Sequence, residues 1–218
     1  MSRFQMMFEN RADAGQRLAE QLKAYKGKNN VIVLGLPRGG VVVAAEVAQA
    51  LQAPLDVVVV RKIGLASNPE TAVGAVMQDG TLVWDREFAK IVDVQSQAMQ
   101  QIVEKERNEL ARRLTQYRHG RGPLKLQNKI VILVDDGLAT GLTMVAAIRS
   151  VLEQKPAKII VAIPVSSAIQ ATQIRGMQDV DDCLCLIEDP AFRAVGQYYN
   201  NFAQVNDEEV ETLLHIVK

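Results

Sequence analysis

The sequence predicts an α/β protein built on a parallel sheet flanked by helices. Three observations lead there. Residues 31–60 and 130–164 each read strand, turn, helix, strand, the pattern of a βαβ unit. Their apolar runs are continuous rather than alternating, as strands buried on both faces require. The length, 218 residues, is enough for one α/β domain with a sizeable core.

Each element has its own signal. Residues 10–25 carry Ala14, Leu18 and Leu22 at helical spacing and predict an amphipathic helix. Residues 31–36 are apolar and rich in β-branched side chains, hence a strand. They run into Pro37-Arg38-Gly39-Gly40, and helical pattern resumes over 41–51. A second strand follows at 55–60. Residues 71–77 and 81–84 flank Asp79-Gly80, a hairpin signal. The charged stretch 85–117 is mostly helical, with a break near Asp93 and a rough stripe of Ile91, Ala98, Ile102, Leu110 and Leu114. Such a stripe packs on the parent domain or on a sister subunit, so the chain is compatible with a homo-oligomer. A turn at 120–123 precedes the second βαβ unit: strand 130–134, helix 141–153, strand 159–164. Helix 167–175, a short strand at 183–187 and an irregular aromatic tail at 189–202 follow. Residues 207–217 form a closing helix, with Asn206 or Asp207 as N-cap. One domain over 1–218 accounts for this order, with a central hairpin and helix insertion at about 65–122 and a C-terminal appendage at about 188–206.

Composition narrows the function classes. Basic and acidic residues balance at 25 each, which argues against a sequence-independent grip on nucleic acid but leaves room for a local basic pocket. Cys183 and Cys185 point the same way on a strand and lack the second ligand pair of a zinc site, so they read as reduced structural thiols. His119 and His215 are isolated. No apolar run approaches the roughly 20 residues that span a bilayer, and the first ten residues do not resemble a secretion signal. The expectation is a cytoplasmic protein with neither nucleic acid nor membrane as partner.

The most informative stretch is Val131-Ile132-Leu133-Val134-Asp135-Asp136-Gly137-Leu138-Ala139-Thr140-Gly141-Leu142-Thr143. A buried strand delivers two adjacent carboxylates to its carboxyl end, where open α/β sheets bind ligands. The loop then opens into a helix, whose N-terminal N–H groups, with the hydroxyls of Thr140 and Thr143, make a phosphate cradle. Carboxylates beside such a cradle can hold ribose hydroxyls or orient a hydrated Mg²⁺.

This stretch resembles the phosphoribosyl pyrophosphate signature of type I phosphoribosyltransferases: an apolar strand, two acids, two variable positions, then small-Thr-Gly-x-Thr. The resemblance implies the family's α/β fold, with a C-terminal hood over the site. Asp135 and Asp136 would contact the ribose and hold Mg²⁺, directly or through water, and Ala139, Thr140, Gly141, Leu142 and Thr143 would hold the 5′-phosphate. Pro37, Arg38, Gly39 and Gly40 fall where the family has its pyrophosphate loop. Glycines there permit close backbone approach and Arg38 offers a charged fork. Lys62, in Arg61-Lys62-Ile63-Gly64, falls at a second pyrophosphate-facing segment, with Arg61 either beside it or paired to a surface carboxylate. Glu70 ends the stretch 66–70 that corresponds to the mobile catalytic loop. Phe192 and Tyr198 belong to the hood, where aromatics either stack on a planar acceptor or plug the last helix against the core. The order Gly-Leu-Pro-Arg-Gly-Gly, Arg-Lys-Ile-Gly, Asn-Pro-Glu, Asp-Asp resembles an uncharacterised bacterial subgroup of the family.

The implied activity is transfer of the 5-phosphoribosyl group from phosphoribosyl pyrophosphate to a nitrogenous acceptor, with Mg²⁺ and release of pyrophosphate, in nucleotide metabolism. The alternative is a regulator that binds the same ligand without transfer. A phosphorelay receiver fits poorly, because its acids lie on different strands. The 6-oxopurine enzymes of the family carry an Asp just before Thr-Gly; here that position is Ala139, which cannot exchange a proton.

Overall fold

The computed structural model of the chain describes residues 7–217 apart from 66, 69, 70, 86, 87, 120 and 123. In chain order the elements are α1 (Arg11–Gln21), β1 (Val31–Gly35), α2 (Gly39–Leu51), β2 (Leu55–Val57), β3 (Arg61–Gly64), β4 (Ala72–Val76), β5 (Leu82–Trp84), α3 (Phe88–Ile91), α4 (Gln97–Tyr117), β6 (Ile130–Val134), α5 (Leu142–Leu152), β7 (Lys158–Ser167), α6 (Ala168–Arg175), β8 (Asp182–Asp189) and α7 (Asp207–Ile216). The central sheet runs β2-β1-β6-β7-β8 with every neighbouring pair parallel. A separate antiparallel sheet holds β3-β4-β5.

Strand periodicity explains why the apolar runs are continuous. Val31, Val33, Ile132, Val134, Ile160 and Ala162 join the core cluster that contains Leu18 of α1 and Val43 and Val47 of α2. Their neighbours Leu34, Val131, Leu133, Ile159, Val161 and Ile163 pack with Met144 and Ile148 of α5 and Ile174 of α6. Both sheet faces are covered by helices, so neither can be polar.

Several boundaries differ from the sequence expectation for physical reasons. The second strand ends at Val57, not at residue 60. Val58 N still donates to Gly35 O, but the register with β1 ends at Val57, so the apolarity of buried Val58 and Val59 reports packing as much as pairing. Arg61–Gly64, which the sequence reading assigned to no element, is the first strand of the small sheet and pairs Lys62 with Ala75. Asp79-Gly80 does turn the following hairpin, with Gly80 at φ 86° and the Asp79 carboxylate accepting from Thr81 N. The 85–117 stripe is corrected: Ile91 is 78% exposed and Ala98 is also exposed. The chain breaks at Asp93–Ser96 and Ser96 caps a new helix, so one helical phase cannot run through both segments. The buried stripe of α4 is Met99, Val103, Leu110 and Tyr117. The small sheet lies between α4 and α5, with Ala75 and Val83 clustered on Ala146 of α5. β7 and β8 run longer than expected, and Asn206 is the cap of α7. The expected turn at 120–123 includes positions outside the described residues.

Candidate active site

Register builds the site. Gly35 of β1 lies opposite Val134 of β6, so the loops that follow, Leu36–Pro37 and Asp135–Asp136, leave the sheet side by side. From β1 the chain moves to β2 on one side; from β6 it moves to β7 on the other. The order reverses between β1 and β6, and such a switch point opens a crevice at the carboxyl ends of the strands.

The helices after these two strands share an unusual feature. α1, α4, α6 and α7 are capped by the side chains of Asn10, Ser96, Ser167 and Asn206. Neither α2 nor α5 has a side-chain cap hydrogen bond. No side chain satisfies their first N–H groups, so an anion at either end can take the place of a cap. Gly141, the N-cap of α5, has φ 72°, and a Cβ there would also sit 2.6 Å from Gln170 Oε1. The Pro37–Arg38 peptide is cis.

α2 begins directly against the acidic pair. A Cβ on Gly39 would overlap Asp136 Oδ2, and one on Gly40 would fall 2.8 Å from Asp135 Oδ1. Only glycine allows this approach. Asp135 Oδ1 accepts from Asp136 N at 2.8 Å. Asp136 Oδ2 accepts from Arg11 Nε at 2.7 Å, in a pair whose side chains are 10% and 16% exposed. Burial, then the neighbouring carboxylate, pushes Asp135 well above the usual carboxylate range, with Lys62 opposing. Burial raises Asp136 as well, and the Arg11 guanidinium pulls it back toward the ionised form.

Two adjoining cavities meet here. The smaller, about 210 Å³, is lined by Asp135, Asp136, Ala139, Thr140, Gly141, Thr143 and Val195. The larger, about 540 Å³, is bounded by Leu36, Pro37, Asp135 and Thr143, with Ile102, Lys105, Glu106 and Arg113 of α4 forming a wall. Lys62, Asp135 and Thr143 line both. Leu142 opens α5 beside the cradle.

Some expected residues lie elsewhere. Arg38 lines neither cavity; its Nη1 is 3.8 Å from Asp207 Oδ1, and Asp207 accepts hydrogen bonds from Tyr117 Oη and Arg112 Nη2. Arg61 does line the larger cavity beside Lys62, but there it pairs with Glu106 at 2.6 Å, the carboxylate alternative. Phe192 and Tyr198 stack on each other at 5.6 Å within the cluster around Phe8 and Ile187, which includes no residue of α7, so they pack the tail against β8 and the N-terminal segment rather than fixing the last helix. Val195, from the 3-10 turn Val195–Tyr198 between them, is the tail side chain that reaches the smaller cavity. Glu70 lies outside the described residues.

Sequence reasoning missed Arg11 and Tyr199. Arg11 also donates from Nη1 to Ala203 O at 2.8 Å and stacks 3.8 Å from the Phe202 ring centroid. Tyr199 Oη donates to Asp136 O at 2.6 Å. Together they tie the first helix and the C-terminal tail to the second acid. Tyr199 lay in a tail noticed for its aromatics; nothing in the sequence marked Arg11. The α4 wall was missed too, because its cavity-facing residues look like an ordinary solvated helix edge.

Residues 7–200 match the model of the phosphoribosyl transferase domain. A Mycobacterium tuberculosis (strain H37Rv) protein named "Putative phosphoribosyl transferase Rv0571c" is 42% identical over 208 residues, covering 95% of this chain. The chain spans 46% of that relative's length. The crystal structure of TT1426 from Thermus thermophilus is 40% identical, covers 97% of this chain and 99% of its own, and superposes with a TM-score of 0.81. With this fold, this strand-end motif and these matches, the chain belongs to the phosphoribosyl transferase domain family.

Proposed function

We propose that the chain transfers the 5-phosphoribosyl group from phosphoribosyl pyrophosphate to a nitrogenous acceptor and releases pyrophosphate. The observation that carries this reading is the pair of uncapped helix N-termini, α2 and α5, on either side of Asp135 at the sheet's switch point. Two anionic groups bridged by a polyhydroxylated ring suit that spacing of cradle, acid and second cradle. The 5′-phosphate would sit on residues 139–143, the ribose hydroxyls on Asp135, and the diphosphate by the α2 N-terminus and Lys62.

In the transfer, the C1′–O bond breaks and its electron pair leaves on pyrophosphate. The acceptor nitrogen's lone pair forms the C1′–N bond, through an oxocarbenium-like state, and a proton bound to that nitrogen is released. Holding the partners together and balancing the leaving group's charge supply the acceleration. Among the described residues no cluster of three or more His, Cys, Asp or Glu forms a metal cage. Mg²⁺, which keeps waters and substrate oxygens as ligands, fits one or two carboxylates such as Asp135 and Asp136. It would add positive charge at the diphosphate.

The non-catalytic reading draws support from one observation. Asp136 and Arg38 already have partners within the chain, Arg11 and Asp207. A panel of nucleobases and amines, incubated with phosphoribosyl pyrophosphate and Mg²⁺, separates the two. Acceptor-dependent pyrophosphate release is the expected result. Ligand binding without release by any acceptor supports the regulator, and absence of binding removes both.

A further inference from the structure

The α4 wall of the larger cavity carries charges that the fold does not use up. Its cavity-facing residues Ile102, Lys105, Glu106 and Arg113 form an edge beside the buried stripe, at helical spacing. Glu106 is bonded to Arg61 through both Nε and Nη2, at 2.7 and 2.6 Å, which fixes α4 against β3. Arg113 Nε is held by Glu109 Oε1 at 2.7 Å. Lys105 has no ion-pair partner among the described residues, and neither does Lys62 on β3. The remaining carboxylate on the lining, Asp135, accepts from Asp136 N and forms no ion pair with either lysine. Lys62 and Lys105 are exposed residues on one cavity lining, and two unpaired ammonium groups around one concave space favour an anion there. An ammonium is a compact point charge that binds phosphate oxygens without the bidentate geometry Arg requires.

We propose that Lys105 on α4 is a binding residue for the diphosphate end of the ligand, acting with Lys62 on the same cavity lining. The inference rests on the phosphoribosyl reading and assigns that ligand a contact outside the strand-end motifs. The Arg61–Glu106 pair then acts as the brace that holds Lys105 at the cavity.

Calorimetry in Mg²⁺ buffer tests it with three ligands: phosphoribosyl pyrophosphate, inorganic pyrophosphate and ribose 5-phosphate. Lys105→Ala is expected to weaken both diphosphate-bearing ligands about tenfold, the scale of one lost charged contact, and to leave ribose 5-phosphate unchanged. Lys105→Glu should weaken them further, and Lys105→Arg should restore most of the affinity. Lys105 is exposed, so none of these changes endangers the fold. Unchanged diphosphate affinity in Lys105→Ala, or an equal loss for ribose 5-phosphate, would overturn the proposal while leaving the phosphoribosyl reading intact. Failure of the wild-type protein to bind any of the three would instead overturn the reading beneath it.

Discussion

Replacing Arg11 by Met tests how the second acid is held. The guanidinium is 10% exposed and sits 2.7 Å from Asp136 Oδ2. Met keeps much of the volume over Phe202 but removes the charge, the bond to Ala203 O and the stacking contact. Breaking one partner of a buried pair costs roughly 3–5 kcal/mol, because the other charge is left uncompensated. For a chain of this length each kcal/mol is about 2–4 °C, so the melting temperature should fall by about 6–20 °C. The sign of the pH dependence follows from Asp136. Its carboxyl is already raised above 3.8 by burial, with Arg11 opposing, and losing Arg11 raises it further. A carboxyl with a raised folded-state value binds its proton more tightly when folded. The unfolded carboxyl is the same in both proteins, so the deficit should be smallest where folded Asp136 is protonated in both and widen as the pH rises through its raised wild-type folded value, where only the Arg11-paired carboxyl ionises readily. Thermal melts followed by circular dichroism at pH 4.5 and 7 measure this. Arg11→Met/Asp136→Asn, which removes both charges, should recover most of the loss at pH 7. A deficit under about 1 kcal/mol, a deficit independent of pH, or a double variant no better than the single one would refute the reasoning.

Other outcomes follow from the same geometry. Gly39→Ala drives a methyl into Asp136 Oδ2 and to 2.7 Å from Arg11 Nε, so it should cost about 1–3 kcal/mol and weaken ligand binding; wild-type stability and affinity would contradict the close approach. Ala139 lines the smaller cavity where a 6-oxopurine enzyme has an acid, so hypoxanthine, guanine and xanthine should be poor acceptors. A kcat/KM at or above roughly 10⁴ M⁻¹s⁻¹ for any of them would reverse that reading. Burial, then Glu188, pushes the Cys185 thiol up to about 12. Only on the order of one part in 10⁴ is thiolate at pH 8, so iodoacetamide should label Cys185 quickly in denaturant and very slowly in the native protein. Equal rates in both states would show that the thiol is not protected.

The sheet and the acidic strand end were legible because continuous apolar runs and a strand–acid–turn–helix order are local signals. The run 55–60 misled because apolarity reports burial: Val58 and Val59 are buried after the register with β1 has ended. β3 was hidden because Arg61 and Lys62 at its start look like loop residues, and its pairing partner is supplied by β4. Arg11 was invisible for a different reason. It lies in the first turn of a helix, where an arginine ordinarily faces solvent, and its partner is 125 positions away. Arg38 shows the same limit from the other side. Its place in a glycine loop suggested a ligand contact, while a carboxylate from the last helix lies 3.8 Å away. The pairing also changes how the acids should be tested. Asp136→Asn would strand a buried Arg11, whereas Asp135→Asn breaks no ion pair, so only Asp135 can be neutralised without cost to the fold.

The most direct measurement is calorimetric titration of phosphoribosyl pyrophosphate into the wild-type protein and Asp135→Asn, with and without Mg²⁺. Asp135 lines both cavities and has no ion-pair partner among the described residues, so Asn should leave the fold unchanged and remove a ribose and metal contact. The predicted result is Mg²⁺-dependent binding by the wild type and a loss of at least about tenfold in the variant. Absence of binding at millimolar ligand, or equal affinity in Asp135→Asn, would contradict the assignment of this strand end as the phosphoribosyl site.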